Sequence, residues 1–326
     1  MYAACIYFTF SSLDLKYMLR QYGILVLIIC LFFISQELMF ILLGYRVSGL
    51  LPFLPLKYGG LDMSSFINYQ MTYERSSSFF LEPSHMAQYI LPALALSLGQ
   101  IKNVFNVKNY FIPIVITIII LLSRSGCGAV GAIFIWCFFV LFVNIRTLKK
   151  VIFISLACFI AIYAYDKISS TEYGSHMINR TSEFDSNASY ERSGIIRVIR
   201  GFLVYKDMDI SEKILGVGTG GTIDVIDNSK HKYMFFGKER YLNNVQMLLI
   251  GFGIFGTVFF LMHLIRLIKK NNLEAKLIMI SFVSLSFLES FFMNSKMVLY
   301  MSFIFAYKLH YAKKKTIHKD AEVIKN

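Results

Sequence analysis

Ile24-Leu-Val-Leu-Ile-Ile-Cys-Leu-Phe-Phe-Ile-Ser-Gln-Glu-Leu-Met-Phe-Ile-Leu-Leu43 carries a single charge, that of Glu37. A run of this length and composition matches the roughly 30 Å of hydrocarbon that a helix of about 20 residues crosses. Lipid offers no water to backbone N–H and C=O groups, so the run must satisfy its own hydrogen bonds as a helix. Working outward, further apolar runs place spans near 22–44, 84–100, 110–123, 126–144, 151–165, 241–263, 277–293 and 297–312. The expected fold is an all-α integral membrane protein, one polytopic helical bundle of eight spans over 1–326.

The 326 residues are 56% hydrophobic, 16% aromatic and 16% charged, with a mean hydropathy of +0.57. Soluble domains carry about 25% charge, which excludes an ordinary cytosolic enzyme. A disordered chain would be poorer in aromatics and richer in charge. The formal net charge is +13. In a soluble protein that would point to nucleic acid. Here the cations are expected to mark cytoplasmic loops and headgroups, and no nucleic-acid partner is expected.

Alternating the spans puts 1–21, 101–109, 145–150, 264–276 and 313–326 on one side, with Lys16, Arg20, Lys102, Lys108, Arg146, Lys149, Lys150, Arg266, Lys269, Lys270, Lys276 and a basic tail around Lys313, Lys314 and Lys315. The short opposite loops hold only Arg46, Lys57, Arg75, Arg124 and Lys296. The positive-inside rule makes the first side cytoplasmic. Cys5, Cys30, Cys127, Cys137 and Cys158 all lie in apolar stretches without C-x-x-C spacing and read as packing residues. The N-terminus has no basic region before its apolar run, so no signal peptide is expected.

Two segments do not fit lipid, and both fall outside. One is the loop 45–83, whose Leu50–Gly60 stretch reads as interfacial. The other is the large loop 166–240, too long for a mere connector. Within it Glu191–Tyr205 reads as a helix with Ile195, Ile196, Ile199, Phe202 and Leu203 on one face and Arg192, Arg197 and Arg200 at its edge.

Five constellations could carry chemistry. Arg75 precedes Glu82-Pro-Ser-His85 at the mouth of the second span, where Pro83 can open a helix and an acid is favoured by the dipole. The alternative is a cap that merely fixes a loop. Ser123-Arg124-Ser125-Gly126 joins two apolar helices, its arginine either snorkelling to headgroups or binding phosphate. Arg192, Arg197 and Arg200 offer planar forks suited to phosphate oxygens, or else a solvated charged face. Leu215-Gly-Val-Gly-Thr-Gly-Gly221 lacks the strand–turn–helix setting of a nucleotide fingerprint and reads as a tight turn allowing close backbone approach. Asn243, Asn244 and Gln246 open the sixth span, positioned to bond sugar hydroxyls or to cap the helix, followed by Gly251, Gly253 and Gly256 for close packing. Glu37, His263 and Glu289 are isolated ionisable residues within spans.

Taken in order, these motifs resemble the bacterial O-antigen and capsular polysaccharide polymerases (Wzy type) within the O-antigen ligase superfamily, over most of 60–265. Members of that family usually carry more spans, and the missing ones would precede residue 1. The resemblance implies a multi-pass enzyme of the bacterial inner membrane whose site faces the periplasm. It would transfer a growing glycan from undecaprenyl diphosphate to a hydroxyl of the next lipid-linked repeat unit. Glu82 and His85 would handle the acceptor proton, and Arg197 and Arg200 would act on the leaving diphosphate. Arg75, Arg124, Arg192, Gly218 and Asn244 would contact substrate. The sequence offers no carboxylate-rich metal motif, so arginine is expected in the metal's place, with no cofactor. Expected partners are the undecaprenyl-diphosphate-linked oligosaccharide, the lipid bilayer, and a chain-length regulator and flippase of the same pathway. The rival readings are the ligase that moves O-antigen onto lipid A-core, for which His231 is a poor match, and a flippase or transporter of lipid-linked sugar.

Overall fold

The computed structural model describes residues 14–44, 47–49, 76–101, 106–143, 194–235, 241–270, 272–290 and 295–323, and every regular element among them is helical. The elements are α1 (Leu15–Leu43), α2 (Pro83–Gly99), a 3₁₀ turn (Val107–Tyr110), α3 (Phe111–Leu122), α4 (Gly126–Phe142), α5 (Gly194–Asp207), α6 (Ile210–Leu215), α7 (Gly218–Asn228), a second 3₁₀ turn (Lys232–Met234), α8 (Asn244–Lys270), α9 (Leu273–Ser286) and α10 (Ser295–Val323). The expected span 151–165, most of the loop 45–83 and the first part of the loop 166–240 lie outside the described residues. Two helices, Leu15–Leu43 and Asn244–Lys269, are long and apolar enough to cross a membrane. Lys108–Leu122 and Gly126–Phe142 are shorter apolar helices.

The chain divides into two compact units, 1–139 with 270–282 and 294–326, and 140–269 with 283–293. In the first, α2 is the core helix: Met86, Ile90, Leu91, Leu94 and Leu98 are all fully buried. A helix apolar on every side can only be satisfied by neighbours all round, and α1, α3 and α10 pack against it. The neighbours turn large apolar side chains outward, among them Leu27, Leu31 and Ile41 of α1, Ile112 and Ile118 of α3, and Ile133 and Phe134 of α4. Outward apolar faces of that kind suit contact with lipid or with another protein surface.

Helix ends follow local chemistry. α1 begins well before the expected residue 22 because Asp14 caps it, accepting from the Lys16 backbone N–H at 3.0 Å, and it ends on Gly44 in the left-handed region. Small residues permit close helix approach. A Cβ on Gly128 of α4 would lie 2.6 Å from that of Ala87 on α2.

Three polar residues inside apolar helices tie the first unit together. Tyr22 donates to the Tyr89 carbonyl at 2.6 Å. Gln36 accepts from the Ser78 N–H at 2.8 Å and donates to the Val47 carbonyl at 2.8 Å. Tyr300 of α10 donates to the Gln88 carbonyl at 2.9 Å, with the Ser281 hydroxyl 3.3 Å away. A buried carbonyl that loses its donor keeps its desolvation penalty. Tyr300→Phe is therefore expected to destabilise the protein by about 1–3 kcal/mol, read as a lower melting temperature in detergent.

In the second unit Val204, Met208, Ile226, Phe235, Leu242 and Ile250 form the core. In α5 Ile199 is 43% exposed, while Arg200 and Val204 are buried, as is Met208 just past the helix end. Gly201, on the same buried side, admits Gln246, whose Cδ would sit 2.5 Å from a Cβ there. The large loop also holds α6 and α7, elements its composition did not announce. Asp209 and Glu212 start α6 with a capping box.

Candidate functional site

The predicted residues fall into two sets. Glu82, His85 and Arg124 belong to the first unit, and Arg200, Gly218 and Asn244 to the second. Arg75 and Arg192 lie outside the described residues, as does the side chain of Arg197, whose backbone is in α5.

At the mouth of α2, Glu82 is the N-cap residue in extended conformation, with Pro83 at the first helical position. Proline needs no hydrogen-bond acceptor there and presets φ for the helix. The carboxylate does not cap the backbone. It accepts instead from the Ser84 hydroxyl at 3.0 Å. His85 is half-buried, within electrostatic range of both Glu82 and Lys296. Lys296, in the first turn of α10, is only 8% exposed. One turn deeper lie Gln88, 1% exposed, whose amide nitrogen is 3.7 Å from Cys127 Sγ, and Tyr300. The Gln88 side-chain oxygen has no hydrogen-bond partner among the described residues.

The α3–α4 junction is a tight hairpin. Ser123 bonds back to Ile120, Arg124 takes the left-handed conformation (φ 54°), and the Ser125 hydroxyl accepts from the Gly128 N–H at 3.1 Å. A non-glycine residue held at positive φ costs about 1–2 kcal/mol. Arg124 itself is half-buried.

In the second unit Arg200 is 9% exposed. Its guanidinium donates to the carbonyls of Met234 and Tyr241 and lies 4.7 Å from the centre of the Phe235 ring. Asn243 and Gln246 cap α8 reciprocally, each side chain meeting the other's backbone N–H, at 2.9 and 3.2 Å. Gln246 also donates to the Val198 carbonyl of α5, and Asn243 to the Phe287 carbonyl. Asn244 is fully buried and donates to Ser286 Oγ at 3.3 Å. Asn243 thus caps α8 and also ties it to the end of α9.

The glycine motif does allow a close backbone approach, and its partner is the chain itself. Gly216 and Gly218 have positive φ, and α7 starts at Gly218. The Val217 N–H donates to the Ile250 carbonyl at 3.0 Å. That carbonyl is freed because α8 breaks at Gly253 (φ 63°, ψ −172°). Gly218 faces open space.

Lys296 is the residue that sequence reasoning missed. It stood only as a charge in a short outer loop. Its signal was an ammonium between two apolar segments, on the side where the positive-inside rule disfavours lysine.

Chemically, the α2 mouth combines a carboxylate, an imidazole and an ammonium, partly shielded from water. Such a set can orient a hydroxyl and take its proton. No family model, curated protein or solved structure matches the chain.

Proposed function

We propose that the chain is a multi-pass membrane glycosyltransferase of the polysaccharide-polymerase type, moving a growing glycan from undecaprenyl diphosphate to a hydroxyl of the next lipid-linked repeat unit. The observation that carries this reading is the Glu82–His85 pair at the mouth of the core helix α2, next to a buried ammonium. Two membrane-length apolar helices and the outward apolar faces of the first unit support a bilayer setting. The ordered motifs from Arg75 to Gly256 support the polymerase type over other membrane enzymes.

In this reading the spans number eight and the loop 166–240 faces the periplasm. The acceptor oxygen attacks the anomeric carbon while its proton passes to the Glu82–His85 pair. The anomeric C–O bond breaks, and its electron pair leaves with the lipid diphosphate. Charge grows on that group as the bond breaks, so fixed cations stabilise the transition state more than the ground state. Arg192 and Arg197 are the proposed diphosphate contacts, with Arg75 and Arg124 next. Arg200, tied to two carbonyls and a ring, anchors the helix that carries Arg197. Gly218 is a further proposed substrate contact, while Asn244, fully buried, is held by Ser286.

Purified protein incubated with synthetic undecaprenyl-diphosphate repeat units is expected to yield a ladder of extended glycans. Single units left unextended, with transfer to a lipid A-core acceptor instead, would identify a ligase. Reporter fusions within 166–193 are expected to read as periplasmic, and a cytosolic location would put the lipid-linked sugars out of reach.

A further inference from the structure

Among the described residues only two charged side chains are buried, Arg200 and Lys296. Arg200 is explained by the carbonyls and ring that hold it. Lys296 lies in the other unit, beside the α2 mouth, and the reaction as described above gives it no work.

Its placement is fixed by the helix below it. Tyr300 follows Lys296 by one turn on α10, and Gln88 follows His85 by about one turn on α2. The Tyr300 hydroxyl donates to the Gln88 carbonyl at 2.9 Å, which locks those turns together. The preceding turns carry Lys296 on one helix and His85 on the other. His85 feels two charges, Glu82 from its own helix end and Lys296 from α10. Removing an ammonium from water is expensive and is tolerated where neighbouring groups use the charge. At low local dielectric that charge acts strongly on whatever faces it.

We propose that Lys296 belongs to the reaction centre as a positioning residue, its buried ammonium orienting the Glu82–His85 pair that receives the acceptor proton. This rests on the polymerase reading for the identity of the acceptor, but not for the coupling of Lys296 to His85. The ammonium neither gains nor loses a proton in the step. It works through the pair, whose imidazole must be neutral to accept.

The test uses the full chain in nanodiscs. In Lys296→Met, kcat for extension of synthetic lipid-linked repeat units is expected to fall by about 100-fold, the lower end of what a positioned base contributes, with KM unchanged. Lys296→Arg, which keeps the cation, is expected to recover most of the rate. A second readout needs no turnover. Diethyl pyrocarbonate acylates imidazole only in its neutral form, so modification of His85, mapped by mass spectrometry, is expected to slow in Lys296→Met and return in Lys296→Arg. Lys296→Gln, which keeps a polar donor in the buried position, carries the same readouts should the methionine variant not fold. Wild-type kcat and wild-type modification rates in Lys296→Met or Lys296→Gln overturn the inference. If the wild-type protein extends nothing while His85 modification still depends on Lys296, the polymerase reading falls and the coupling stands.

Discussion

Gly253→Ala is expected to unfold the second unit at temperatures where the unaltered chain is stable. Gly253 sits inside α8 with φ 63° and ψ −172°. That region is essentially closed to side chains and costs about 1–3 kcal/mol where it is forced. Space is closed as well. An added Cβ would run into the Ile214 carbonyl and lie 2.6 Å from the Gly216 nitrogen. Both obstacles are backbone, so no rotamer change relieves them, and overpacking adds about 1–3 kcal/mol. Together these approach the net stability of an ordinary domain, about 5–15 kcal/mol. Two other glycines separate the causes. Gly218 has φ 76° but open space around it, so Gly218→Ala tests backbone strain alone. Gly220 lies in α7 with ordinary φ and open space, so Gly220→Ala should be neutral or slightly stabilising. Melting curves by size-exclusion chromatography should rank Gly220→Ala above Gly218→Ala and Gly218→Ala far above Gly253→Ala. Equal melting of all three would show that the broken helix is not held by this glycine contact.

The same contact marks the limit of what the sequence makes legible. Length and apolarity suffice for α1, α2, α3 and α4, whose expected and observed bounds differ by a few residues wherever no cap intervenes. Residues 194–207 are helical, close to the expected 191–205, because an amphipathic period is a local property. What that helix packs against is not local. Gly201 meets Gln246, a residue far along the chain. Likewise, Leu215–Gly221 and Gly251–Gly256 each read as sites of close approach, but nothing in either names the other as its partner. The Glu82-Pro-Ser-His85 cluster was visible because proline, acid and histidine are adjacent in sequence. Lys296 joins it through a helix more than 200 residues later, whose packing includes the Tyr300–Gln88 bond. Patterns with a short period are readable from one chain. Pairings between distant elements are set by packing and are not.

Chain extension should be lost in Glu82→Ala and in Arg197→Ala without loss of protein. Glu82 is partly exposed at a helix start and its carboxylate caps no backbone group, so its removal leaves α2 intact. What goes is one member of the proposed proton-accepting pair, an effect of about 100- to 10,000-fold on turnover. Arg197 lies three residues before Arg200 on α5, and loss of a preorganised cation at a developing anion lowers kcat by about 100- to 1,000-fold. Arg200→Ala separates catalysis from architecture. It strips two carbonyls of their donor and a ring of its cation, so its lost activity should come with a lowered melting temperature and reduced protein in the membrane. Arg197→Ala should show the first without the second. Glycan length in a deletion strain carrying each variant, read against protein abundance, decides the matter. Normal ladders from both Glu82→Ala and Arg197→Ala would remove the catalytic reading and leave a non-catalytic membrane component of glycan assembly. A loss in Arg197→Ala that tracks protein abundance would make α5 an anchoring helix rather than a diphosphate-binding one.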